Sequence, residues 1–158
     1  MINIINQAAD YKNTILLGEL GEYLDCVLDE YGRKGKAVNI VFCDDSFIRQ
    51  LNGEYRGYDK PTDVLSFSME EGEELWDDGD EIADDMPREL GDIMISIETA
   101  KRQAAEYGVT LDEELVRLAS HGILHLLGFD HETSPEDDEA MMKKQDELIA
   151  GFFRKYSV

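Results

Sequence analysis

Apolar and polar residues along the chain repeat with two different periods, and the switches between them mark out the elements. Met1 to Ile5 is short and apolar-rich and predicts a first strand. From Thr14 to Tyr31 the residues Leu16, Leu17, Leu20, Leu24, Val27 and Leu28 recur at the spacing of one helical face, with Gly32 as a stop. After the short basic turn Arg33-Lys34-Gly35-Lys36, the apolar, β-branched run from Ala37 to Cys43 has the composition of a central strand. Asp44-Asp45-Ser46 opens a helix carrying Phe47, Ile48 and Leu51 on one side, and Arg49, Arg56 and Lys60 gather around its end. Past Pro61, Val64, Leu65 and Phe67 favour a strand, and Ile93, Ile95 and Ile97 alternate in another over Asp92 to Ile97. Thr99 to Tyr107 predicts a short helix closed by Gly108. Thr110 and Glu113 stand at capping-box spacing and open the next helix, apolar from Leu115 to Leu127. Ser134, Pro135 and Asp137 supply a cap, a first-turn proline and a first-turn acid for a last helix reaching about Phe153, with Met141, Leu148 and Phe152 as core. The order predicts an α+β domain over residues 1–158: a small mixed β-sheet covered by helices.

One stretch breaks the pattern. Residues 70–89 hold eleven acids against one base, with glycine and little apolar periodicity, and predict an acidic loop. That loop supplies −10 of a formal net charge of −21, so the rest of the chain is acidic as well. Such a balance disfavours general affinity for nucleic acid, which normally comes from lysine and arginine neutralising phosphates. A metal ion with a local cationic cluster can still hold a phosphate against an unfavourable long-range field. Hydrophobic residues make up 42% of the chain, with no run of membrane-spanning length and no basic signal-like start. The expectation is a cytoplasmic protein with no membrane association. Cys26 and Cys43 have no metal-site spacing and are expected to be buried reduced thiols.

The chain's three histidines all fall between Ser120 and His131. His121 and His125 stand at i and i+4 of the predicted helix, which puts both imidazoles on one face, a turn apart. Gly128 can end that helix and let the chain double back to bring His131 to the same point. Three neutral nitrogen ligands with an open fourth position suit a catalytic zinc ion, although other divalent metals accept the same donors. The spacing is shared with metzincin peptidases, but Gly122 stands where they carry the glutamate that takes a proton from water. A metallopeptidase is therefore the weaker alternative.

His121-Gly122-Ile123-Leu124-His125-Leu126-Leu127-Gly128-Phe129-Asp130-His131 resembles the signature of the YbeY family of metal-dependent endoribonucleases. Leu51-Asn52 with Tyr55-Arg56-Gly57, then Asp59-Lys60-Pro61-Thr62-Asp63-Val64-Leu65-Ser66-Phe67, resembles that family's central motif, and Leu90-Gly91-Asp92-Ile93 its strand motif. The resemblance implies a zincin-like fold with the histidine helix against the sheet. It also implies zinc-dependent cleavage of single-stranded RNA in ribosomal RNA processing and ribosome quality control.

Three imidazoles leave the ion its full charge, so bound water ionises at a pKa of roughly 7. A guanidinium fork suits the charge that develops on phosphoryl oxygens, and the resemblance places that role on Arg56. Lys60, Asp63, Ser66 and Asp92 are candidates for lining the substrate groove, Asp92 also for a partner contact. Asp130 is a candidate for orienting a ligand histidine by a hydrogen bond. Expected partners are RNA, ribosomal RNA above all, and ribosomal or ribosome-associated proteins. The alternative from another class is a ribosome-assembly factor whose metal is only structural.

Overall fold

The computed structural model describes residues 1–8, 11, 17–69, 89–129 and 134–156. Four strands, β1 (Ile2–Asn6), β2 (Ala37–Cys43), β3 (Val64–Ser68) and β4 (Glu89–Ser96), form one mixed sheet in the order β1-β2-β4-β3. β1, β2 and β4 run parallel, and β3 joins β4 antiparallel. The helices are α1 (Leu17–Glu30), α2 (Asp45–Arg56), α3 (Ile97–Tyr107), α4 (Leu111–Leu126) and α5 (Pro135–Lys155). The chain is thus α+β, as its periodicities predict.

Alternation decides which face each strand residue covers. In register, Ile4, Ile40, Ile93 and Ser66 look to one side, and Ile5, Val41, Met94 and Leu65 to the other. The first side carries α1 and α4. Gly21 of α1 lies against Ile2 and Ile4, Gly122 of α4 lies against Ile93, and Leu20, Leu24, Phe42, Leu118 and Ile123 complete the buried core. α5 packs on α4 from outside and adds Met141, Leu148 and Phe152. The second side carries α2, whose Ile48 and Leu51 meet Cys43, Leu65, Phe67 and Met94.

The start of α2 is tied to the start of α3 by one carboxylate. Asp45 accepts hydrogen bonds from Ser96 Oγ at 2.6 Å, Thr99 Oγ1 at 2.6 Å and Arg102 Nη2 at 2.8 Å. Burial alone would raise its pKa, but the three donors and the Arg102 charge hold it below the ordinary carboxylate value.

The starts of β4 and α3 differ from expectation. β4 begins at Glu89 rather than Asp92, because Glu89 pairs with Ala37 and Gly91 with Val38, the register skipping Leu90 at an irregularity. Residues 70–88 of the expected acidic loop lie outside the described residues. α3 begins at Ile97 rather than Thr99, because the Ser96 hydroxyl caps it by accepting from the Thr99 amide at 3.3 Å. Cys43 is buried, and desolvation, with Asp44 and Asp45 nearby, pushes its thiol up to about 12, so it stays protonated. Cys26 is exposed. It falls between the buried positions Leu24 and Val27 of α1 and turns off the core face.

Candidate metal centre and active site

α4 is built to hold its histidines still. Thr110 Oγ1 accepts from the Glu113 amide at 3.1 Å, and Asp112, Glu113 and Glu114 complement the positive end of the helix. At the other end Gly128 takes a φ of 97°, and the Gly128 and Phe129 amides donate back to the His125 and Leu124 carbonyls, both at 3.0 Å. Phe129 then packs edge-on to Tyr31, with ring centroids 6.0 Å apart. In the middle, Gly122 lets the helix backbone press on the sheet. A Cβ there would sit 2.7 Å from Ile93 Cγ2, so a glutamate at this position has no room. The lost peptidase base is thus a packing requirement as well as a chemical difference.

His121 and His125 come together, their Nε2 atoms 3.1 Å apart. Two nitrogens sharing one tetrahedral zinc ion at about 2.05 Å stand about 3.3 Å apart, so the bite is already nearly right. Nδ1 of His121 is 2.8 Å from Oε1 of Gln145 on α5, a side chain only 1% exposed. An amide oxygen can only accept, so Nδ1 of His121 donates and its Nε2 keeps the lone pair that faces His125. The donor set and its prior orientation therefore fit a zinc ion. Among the described residues no group of three or more His, Cys, Asp or Glu side chains converges. His131 and Asp130 lie outside those residues.

Gln145 was legible and overlooked. Met141, Gln145, Leu148 and Phe152 follow the helical repeat of α5, and all four are buried. An amide inside an apolar stripe needs a hydrogen-bond partner, and here the partner is His121, a candidate metal ligand. Arg117, one turn before His121, was missed as well. Its Nε donates to the fully buried Glu114 carboxylate, and its Nη2 stands 3.9 Å from Asp63 Oδ2.

The remaining candidates divide between the two sides of β3. Ser66 sits opposite Ile93, on the side of the histidine helix. Asp63 Oδ1 accepts from the Val64 amide at 2.8 Å and so fixes the entry to β3. Asp92 lies on the other face of the sheet, where its Oδ1 accepts from Asn39 Nδ2 at 3.0 Å and Asn39 Oδ1 accepts from Asn3 at 3.2 Å. Arg56 and Lys60 gather around the Tyr58 ring beyond α2, at 5.7 and 5.5 Å from its centroid. A concavity of about 780 Å³ lies at the opposite sheet edge between β1 and α1, and its walls include neither a histidine nor Arg56. The chemistry-bearing groups are elsewhere.

Comparison with known proteins identifies the family. A family model described as Endoribonuclease YbeY matches residues 3–152. A protein named Endoribonuclease YbeY from Desulforamulus reducens is 53% identical over 112 residues, 71% of this chain and 69% of its own. Its namesake from Bacillus mycoides is 40% identical over 152 residues, 96% of both chains. The solution structure of TM1509 from Thermotoga maritima matches with a TM-score of 0.67 at 28% identity, covering 99% of this chain and 92% of that one.

Proposed function

The chain belongs to the YbeY endoribonuclease family, and from that premise we propose that it is a zinc-dependent endoribonuclease that cuts single-stranded RNA during ribosomal RNA processing and quality control. The observation that carries the reading is the His121–His125 pair, with Nε2 atoms 3.1 Å apart and one ring held by a buried amide. His121, His125 and His131 hold the ion. When bound, zinc supplies Lewis acidity and an ionised water nucleophile at neutral pH.

The protein's own groups do the rest. Gln145 holds the Nδ1 proton of His121 and keeps the opposite nitrogen available. Arg56 meets the charge that grows on the phosphoryl oxygens as the phosphodiester breaks, because its planar fork matches two of them. Lys60 and Ser66 contact the backbone of the bound strand. Asp63 repels phosphate, so it shapes the groove indirectly, through the Val64 amide, while Asp92, on the other face, serves a partner contact. Asp130 orients a ligand histidine by a hydrogen bond. With a net charge of −21, capture of bare RNA is slow, and ribosomal proteins help present the substrate. The setting proposed is cytoplasmic; among the described residues no helix is long and apolar enough to cross a membrane.

Elemental analysis beside a cleavage assay on ribosomal RNA tests the reading. The parent protein carries near-stoichiometric zinc and cuts, and His121→Ala loses both. Zinc without cutting, even with ribosomal proteins supplied, refutes the enzyme and favours an assembly factor with a structural metal.

A further inference from the structure

Helix α2 ends in a short turn that is rigid, aromatic and cationic. Gly57 caps the helix at a φ of 75°. Asn52, 2% exposed, then ties the turn down: its carbonyl accepts from the Tyr58 amide at 3.2 Å, and its Nδ2 donates to the Lys60 carbonyl at 2.9 Å. Two large rings are left outside, Tyr55 at 67% exposure and Tyr58 at 52%. Tyr55 is braced on Phe67 of β3 at 5.2 Å between centroids, while Arg56 and Lys60 both lie within 6 Å of the Tyr58 ring. The one acid in the turn, Asp59, is occupied by Arg49 through two hydrogen bonds of 2.8 and 3.2 Å.

Single exposed aromatics are ordinary on protein surfaces. Two on one tethered turn, with cations beside them in a chain of charge −21, are not explained by solubility. We propose that Tyr55 and Tyr58 form a stacking platform for unpaired RNA bases, with Arg56 and Lys60 holding the adjoining phosphates; this rests on the endoribonuclease reading above. Charge complementarity selects a polyanion over an apolar partner. Exposed rings select unpaired bases, since a duplex keeps its bases stacked on each other. Location agrees. Phe67, which braces Tyr55, and Ser66, on the side of the histidine helix, are neighbours on β3, and β3 pairs only with β4 among the described residues. A strand crossing the outer edge of β3 therefore reaches both groups. The platform gives the enzyme a reason to prefer single-stranded substrate that the metal pair does not supply.

The test uses the zinc-loaded protein and two labelled oligonucleotides of the same length, one normal single-stranded RNA and one with an abasic backbone. Fluorescence anisotropy gives the Kd of each, and steady-state cleavage gives KM and kcat. Tyr58→Leu weakens binding of the base-bearing RNA between about fivefold and a hundredfold, raises KM and leaves abasic binding unchanged. Tyr58→Phe binds like the parent. Tyr55→Leu behaves like Tyr58→Leu, with thermal melting to show that its contact with Phe67 was not needed for folding. Equal Kd values for Tyr58→Leu and a parent that cuts RNA overturn the platform alone. Loss of a basic protein partner with unchanged RNA affinity also overturns it and assigns the rings to protein contact. A parent that neither binds nor cuts RNA removes the endoribonuclease reading and the platform with it.

Discussion

Oε1 of Gln145 accepts a hydrogen bond from Nδ1 of His121 at 2.8 Å, joining the last helix to the helix that carries the proposed metal ligands. The bond fixes a tautomer as well as a ring orientation. Removing it leaves a buried N–H without an acceptor and frees the ring to protonate on the wrong nitrogen. Gln145→Leu therefore lowers zinc affinity by about 10- to 100-fold while the protein stays folded. Competition with a chromophoric chelator measures this, and Gln145→Glu, which keeps an acceptor, retains most of the affinity. An unchanged affinity for Gln145→Leu would show that α5 only packs against α4.

Gly122 sets two effects against each other. Alanine is favoured over glycine in a helix by about 1 kcal/mol. Here its Cβ would lie 2.7 Å from Ile93 Cγ2 and 2.9 Å from Ile93 Cδ1. Overpacking of that kind costs about 1–3 kcal/mol, so the clash wins and Gly122→Ala destabilises the fold in urea titration. In an Ile93→Ala background, which lacks the colliding methyl groups, Gly122→Ala costs less than it does in the parent. A more stable Gly122→Ala would mean that the helix does not press on the sheet as closely as described.

Asp45 makes a pH-dependent contribution whose sign is set by its lowered pKa. A carboxyl whose folded pKa lies below the ordinary 3.8 stabilises the fold above that value and loses the effect as pH falls through the folded pKa. Asp45→Asn thus costs about 1–3 kcal/mol at pH 7, from hydrogen bonds to Ser96, Thr99 and Arg102 that are weakened or lost. The gap to the parent narrows below about pH 4. Urea titrations at pH 7 and pH 3 measure it; a gap of equal size at both would show that the Asp45 charge plays no part.

Arg56 separates metal binding from turnover. It is the last residue of α2, with its guanidinium beside Tyr58, and not on the histidine helix. Arg56→Glu keeps zinc at the parent's stoichiometry and loses cleavage by at least about 100-fold, the scale of one lost transition-state donor. Cleavage at the parent's rate by the zinc-loaded variant would remove Arg56 from the mechanism.

Much of this was visible in the residues. β2 runs from Ala37 to Cys43 as its β-branched composition indicates, and α4 starts at the Thr110 cap and stops at Gly128 as its local chemistry requires. These features depend on neighbours in the chain, so a one-dimensional pattern carries them. What the pattern hid depends on distant contacts. The 24 positions between His121 and Gln145 carry no periodic link, although the amide in the apolar stripe of α5 signalled a buried partner. The position of Asp92, on the face away from the histidines, follows from strand parity. The missing piece was which face α4 would cover. The gathering of Arg56, Tyr58 and Lys60 depends on tethers from Asn52 that no spacing rule anticipates.

If metal held by His121, His125 and His131 is what cuts RNA, removing and restoring it switches cleavage off and on. Cleavage of a labelled single-stranded ribosomal RNA fragment is measured for the zinc-loaded protein, after gentle chelation, and after zinc is added back, with circular dichroism showing that the fold survives. Cutting disappears on chelation, returns with one equivalent of zinc, and never appears in His125→Ala. Cutting that persists in the chelated protein, or in His125→Ala, would contradict metal-dependent cleavage.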